Sequence, residues 1–165
     1  MNTWAMAVLV GWLMLVTHHD LAHRRVPNSL VLVGAAMALV SLSVGAQPLG
    51  LAWPQALLGG ALAFGALLCL HAAGLMGAGD VKFAGALGLW MGAAALPGIW
   101  LITSVLGLAH ALLWLALRRQ PTWLPRLAGA LDNPAPPAAQ RRRHIPLAAY
   151  LAFGTLGLMA LGGAG

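Results

Sequence analysis

The sequence predicts an all-α integral membrane protein with about six transmembrane helices. Of its 165 residues, 61% are hydrophobic and 7% are charged, and the mean hydropathy is +0.84. A soluble domain usually carries about 25% charged residues. The apolar runs are continuous rather than alternating, which indicates helices and disfavours a barrel of strands. We expect residues 1–165 to form a single domain embedded in a lipid bilayer.

Six apolar segments account for most of the length, and a helical span needs about 20 such residues. The first is interpreted as a retained helix, because no positive region precedes it and no small-residue cleavage site follows. The first and fourth are short for a full span. The predicted segments are residues 3–17, 29–44, 51–71, 80–95, 96–117 and 145–161.

All nine lysines and arginines fall in three of the connecting loops. The positive-inside rule places these loops in the cytoplasm and both termini outside. The net charge of +6 therefore indicates membrane orientation rather than nucleic-acid binding. The last of the three, residues 118–144, is polar and rich in proline and is predicted to be a flexible cytoplasmic loop. The cations are Arg24, Arg25, Lys82, Arg118, Arg119, Arg126, Arg141, Arg142 and Arg143.

Two of the three acidic residues, Asp20 and Asp80, adjoin charged loops on the predicted cytoplasmic side; Asp132 is the third. A carboxylate at the edge of an apolar span is costly and needs a reason. Two close carboxylates share a proton and can perform acid–base catalysis. Two alternatives remain open. Each aspartate could be a helix N-cap or an interfacial ion-pair partner, or both could relay protons or bind a cation in a non-enzymatic membrane subunit or small transporter.

The residues around Asp80 are candidates for substrate binding. Gly77 and Gly79 precede it, and a backbone without side chains can bend and let another chain approach closely. Lys82 follows two residues later. It extends its ammonium to the membrane interface, tunes the site or holds a substrate carbonyl.

Histidines close to Asp20 raise the question of a metal. His18, His19 and His23 flank the aspartate, and a helix places His19 and His23 on one face. We interpret them as interfacial histidines, since other loops supply no matching ligand beyond Asp80 and His144. No metal and no cofactor are expected.

Three motifs together resemble a known family. Residues 77–92 look like the GxGD-V-K region of type IV prepilin peptidases. Asp20, followed after five residues by Val26-Pro27-Asn28, is similar to the first aspartate and I/V-P-N motif of that family, and His144-Ile145-Pro146 is similar to its I-P element.

The resemblance implies a membrane aspartyl endopeptidase of the bacterial inner membrane in which Asp20 and Asp80 are catalytic. Such enzymes remove the leader of type IV prepilins on the cytoplasmic side. They cut just after a glycine that precedes the hydrophobic helix of the precursor.

The sequence also departs from the family pattern. Longer members carry an N-methyltransferase domain with CxxC pairs, whereas Cys69 is the single cysteine here. The chain resembles the short Flp/Tad-type form, so we expect an Flp-type prepilin as substrate and no N-methyltransferase activity. Leu147-Ala148-Ala149 stand where the family often has an aromatic-Gly-Pro run. A signal-peptide-peptidase-like GxGD protease is disfavoured, because its first aspartate usually follows a tyrosine and Asp20 follows His19.

Overall fold

The computed structural model describes residues 2–23, 26–118 and 147–162, and within these ranges all regular structure is helical. The all-α prediction is therefore confirmed for the described part of the chain. The helices are α1 (Thr3–His23), α2 (Asn28–Ser43), α3 (Trp53–Ala72), α4 (Ala78–Arg118) and α5 (Leu147–Gly162). Residues 119–144 of the predicted cytoplasmic loop, with Asp132 and His144, lie outside the described residues, as do Arg24 and Arg25.

Three of the helices, α1, α3 and α4, are long and apolar enough to cross a membrane. The other two, α2 and α5, are also apolar but have 16 residues each. The prediction of a short first segment is wrong, because α1 has 21 residues and continues past Asp20 to His23. Asp20 therefore lies inside a helix, about one turn before its end.

A break at Gly92 divides α4 into two helical runs, residues 78–91 and 93–118. Gly92 has φ 70° and ψ 170°, a conformation open to glycine and strained for other residues. The predicted boundary at Pro97-Gly98 is wrong, since Pro97 lies inside the helix. A proline–glycine pair is a stronger break signal in sequence than one glycine, so the pattern favoured the wrong position.

The first run of α4 packs closely against α3 through facing glycines. A Cβ on Gly59 would lie 2.6 Å from the Cα of Gly92 and would also meet the backbone of Gly88. Small residues of this kind let two helix backbones approach. Gly88 and Gly92, four residues apart, thus serve packing against Gly59 of α3. Gly65, farther along α3, makes no such contact, because no described atom lies within 4 Å of a Cβ added there.

The second run of α4 packs against α5 in an antiparallel manner. Gly98 faces Leu158, and Thr103 donates a hydrogen bond to the Tyr150 carbonyl at 3.2 Å. The start of α5 lies beside the end of α1, where Ala149 contacts Asp20. The second run of α4 therefore leads back to that end of the bundle. The first run leads away from it, since α4 starts beside Val26 at the beginning of α2. The two runs therefore lie in opposite directions.

Two buried tryptophans fix α2 between its neighbours. The indole N–H of Trp12 donates to the Leu30 carbonyl at 2.8 Å, and that of Trp90 donates to the Gly34 carbonyl at 2.9 Å. The Trp12 ring also packs against Phe83, with centroids 5.3 Å apart. These contacts join α1, α2 and α4 below the end of the bundle at which both aspartates lie.

Candidate active site

Asp20 is almost completely buried, with 4% of its surface exposed. Its Oδ2 accepts a hydrogen bond from the backbone N–H of Ala149 at 2.9 Å. Ala149 is the third residue of α5, and the first N–H groups of a helix have no partner within the helix. The side chain of α1 therefore satisfies a donor at the beginning of α5. The positive end of the α5 dipole favours a negative charge at this position.

Tyr150, the next residue of α5, adds a hydroxyl to this region. The Tyr150 ring packs against His110 of the second run of α4, with centroids 5.9 Å apart. The site thus includes residues from α1, α4 and α5.

Asp80 lies in the first turn of α4 and is half-buried. Its position is not that of an N-cap, because α4 begins two residues earlier at Ala78. A Cβ on Gly77 would lie 3.4 Å from Asp80 Oδ2, so an alanine there would cover part of the carboxylate. Neither Gly77 nor Gly79 has a positive φ. The missing side chain of Gly77 therefore leaves room beside Asp80, and that of Gly79 leaves room beside the start of α2; neither glycine makes a bend.

The bend before Asp80 occurs at Gly74, which has φ +74°. Leu75 N–H donates to the Leu70 carbonyl at 3.0 Å, a bond typical of a helix that ends with a left-handed glycine. The ring of His71 then reaches the Met76 carbonyl at 2.8 Å. A carbonyl only accepts, so Nδ1 of His71 is the donor. His71 thereby holds the loop that leads to Asp80.

The segment after Asp20 meets the segment around Asp80. Lys82 Nζ donates to Asn28 Oδ1 at 3.1 Å, and a Cβ on Gly79 would lie 3.9 Å from the Val26 carbonyl. The structure thus brings the Val-Pro-Asn motif and the GxGD-V-K motif together. Lys82 is exposed and turned toward α2, away from the core.

The histidines beside Asp20 lie at the surface of α1. His18 and His23 are exposed and His19 is half-buried. The rings of His19 and His23 pack 5.3 Å apart, as their spacing of four residues predicts. Among the residues that the structure describes, no group of three or more His, Cys, Asp or Glu side chains is placed to hold a metal ion.

Sequence reasoning missed two parts of the site. The Ala149 N–H is a backbone donor, which no side-chain pattern reveals, and the position of Tyr150 depends on how α5 packs. A partial signal was available: α5 begins soon after Pro146, and a proline often marks the start of a helix.

Comparison with known proteins gives one family. The model of the type IV leader peptidase family matches residues 7–112, which include both Asp20 and Asp80. A prepilin leader peptidase/N-methyltransferase of Pectobacterium carotovorum subsp. carotovorum is 29% identical over 136 residues, covering 78% of this chain and 48% of the relative. The chain thus spans about half the length of that curated relative. No solved structure matches significantly. The chain belongs to the type IV leader peptidase family.

Proposed function

We propose that this protein is a membrane aspartyl endopeptidase that removes the leader peptide of type IV prepilins, with Asp20 and Asp80 as the catalytic pair. The observation that carries the proposal is the placement of both aspartates at one end of the bundle. One lies in the last turn of α1 and the other in the first turn of α4, and both fall within the family match. The relative of similar sequence bears the name prepilin leader peptidase.

The chemistry requires one ionised and one protonated carboxyl group. Carboxylates a few ångströms apart cannot both ionise easily, so the pair holds one proton. The ionised member accepts a proton from water as the water oxygen bonds to the scissile carbonyl carbon. The protonated member donates to the carbonyl oxygen. Collapse of the tetrahedral species breaks the C–N bond, and the leaving amine takes its proton from a carboxyl group.

The buried position of Asp20 supports this role. Ala149 N–H fixes Oδ2 at 2.9 Å and satisfies that oxygen, although the side chain is almost completely buried. One carboxylate oxygen is thereby oriented by a rigid helix. A catalytic group held in this way loses little freedom when substrate binds.

Gly77, Gly79 and Lys82 are proposed to bind the substrate backbone. Gly77 leaves the surface of Asp80 uncovered, and Gly79 adjoins the start of α2. An ammonium carries three donors, and the bond to Asn28 uses one of them. Another can hold a carbonyl of the leader beside the scissile bond.

The proposed topology has six crossings with both termini outside. It counts the two runs of α4 separately, together with α1, α2, α3 and α5. All nine lysines and arginines then adjoin the cytoplasm. We place the protein in the bacterial inner membrane, with cleavage on the cytoplasmic side after a glycine. An Flp-type prepilin is the proposed substrate.

Only the peptidase activity is proposed for these 165 residues. The name of the relative includes an N-methyltransferase, and the resemblance attributes that activity to a domain with paired cysteines. Cys69 is the single cysteine of this sequence.

The proposal is tested by co-expression with an Flp-type prepilin and scoring of the precursor-to-mature shift on a gel. Wild type is expected to process the precursor. Asp20→Asn and Asp80→Asn are each expected to leave only precursor while remaining in the membrane. Asp132→Asn is the matched control, because it neutralises the third acidic residue. Full processing by either variant of the pair would overturn the assignment.

A further inference from the structure

An open groove lies between α2 and the first run of α4, with α3 at its side. Its volume is about 410 Å³. Asn28 and Lys82 form one end, and Leu32, Ala35, Phe64 and Gly85 line the rest together with two further apolar residues. We call it the α2–α4 groove. It is apolar except at the end formed by Asn28 and Lys82.

We propose that the α2–α4 groove binds the apolar helix that follows the scissile glycine of the prepilin, an inference that rests on the proposed function. The groove starts two residues from Asp80 and at the last residue of the Val-Pro-Asn motif. It continues along α4 away from Asp80, toward the middle of the chain's apolar spans. A substrate cut at Asp80 would therefore enter it with the first residues of its apolar segment.

The dimensions of the groove suit about two turns of a helix. Asn28 and Ala35 are seven residues apart on α2, which is about 10 Å along the axis. A cavity of about 150 Å³ holds a benzene molecule. The groove is almost three times larger, so two or three large apolar side chains fit.

The lining favours a helix over lipid. In a bilayer, apolar burial alone does not drive helices together, and close approach between small residues does. Ala35 on α2 and Ala86 on α4 are small residues that line the groove, whereas the space beside Gly85 is filled by the Phe64 side chain. At the polar end, the Lys82 ammonium and the Asn28 amide can bond to backbone carbonyls of the peptide near the cut. An acyl chain offers neither a helix surface nor such carbonyls.

The first experiment blocks the groove. Ala35→Phe fills it, and Ala36→Phe adds the same ring to the neighbouring exposed residue, which does not line it. Each variant is given a complete Flp-type prepilin and, separately, a soluble peptide with the leader, the glycine and a few following residues. A misfit in an apolar pocket typically changes kcat/KM about tenfold or more. We expect Ala35→Phe to lose at least that on the prepilin and nothing on the peptide, with Ala36→Phe unchanged on both.

Equal losses on prepilin and peptide by Ala35→Phe, or no loss on either, would overturn the inference. A wild type that cuts neither substrate would instead overturn the proposed function on which it rests.

The second experiment leaves the groove open and asks which molecule lies next to it. A photo-cross-linking residue replaces Leu32, which is 68% exposed and lines the groove. In the control it replaces Val33, which is exposed and lies about 100° around the helix from Leu32. Asp80→Asn is included so that the prepilin stays uncut. The probe at position 32 is expected to link to the apolar segment of the prepilin, and the probe at position 33 to lipid. Linkage of position 32 to lipid alone would overturn the inference.

Discussion

The packing of α3 against α4 positions Asp80. Two glycines of α3 allow the contribution of this packing to stability to be measured. Gly59→Ala places a Cβ 2.6 Å from the Cα and the carbonyl carbon of Gly92, both backbone atoms that no rotamer change can move. Gly65→Ala makes the same substitution in the same helix, where no described atom lies within 4 Å of the new Cβ. The two variants gain the same helix preference from alanine. The difference in stability between the two variants therefore reports the contact between Gly59 and Gly92.

The size of the effect follows from the overlap. Overpacking of a close-packed contact typically costs about 1–3 kcal/mol. A loss of 1 kcal/mol lowers Tm by roughly 2–4 °C in a chain of this size. Gly59→Ala should therefore melt about 2–12 °C below Gly65→Ala, with both proteins purified in the same detergent.

The assay is thermal unfolding followed by circular dichroism, paired with prepilin processing. Because the first run of α4 carries Asp80, Gly59→Ala should also process prepilin more slowly than Gly65→Ala. Equal melting temperatures would refute the glycine-mediated contact between α3 and α4.

Three further predictions concern hydrogen bonds. His71→Leu should lower the initial rate of prepilin processing roughly fivefold, because it releases the loop before Asp80. His71→Asn should recover much of that rate, because its amide can still donate to the Met76 carbonyl. Lys82→Met should raise KM for prepilin more than it lowers kcat, whereas Lys82→Arg should stay near wild type; an unchanged KM in Lys82→Met would contradict a contact with substrate. Trp90→Phe should lower the free energy of unfolding by about 1–3 kcal/mol through loss of its bond to α2, and an unchanged unfolding curve would show that the bond contributes nothing.

Much of the helical organisation was predictable from sequence because apolar runs and charged loops report it directly. The starts of α2 and α3 lie within two residues of their predicted positions. The reversal between the fourth and fifth segments was also predicted. Its position at Gly92 was not, because the left-handed φ arises from packing against α3 and has no local signature stronger than Pro97-Gly98.

The candidate site was predictable to the extent that it consists of side chains in motifs. Asp20 and Asp80 stand out as candidates because carboxylates are rare in this sequence. The bond from Ala149 N–H to Asp20 joins residues 129 positions apart. Such a contact depends on tertiary structure, and a backbone donor is common to every residue except proline. The role of His71 was missed for a similar reason, since its partner is the Met76 carbonyl.

The central claim is that Asp20 and Asp80 form one site, and thiol cross-linking in native membranes tests it most directly. The background is Cys69→Ala, which removes the exposed native thiol. Asp20→Cys with Asp80→Cys should be joined by a short thiol cross-linker, because carboxylates that share a proton lie within about 4–6 Å. Asp20→Cys with Ser43→Cys, at the far end of α2, should stay unlinked. Failure of the first pair to cross-link, with both thiols shown to be reactive, would contradict a shared site.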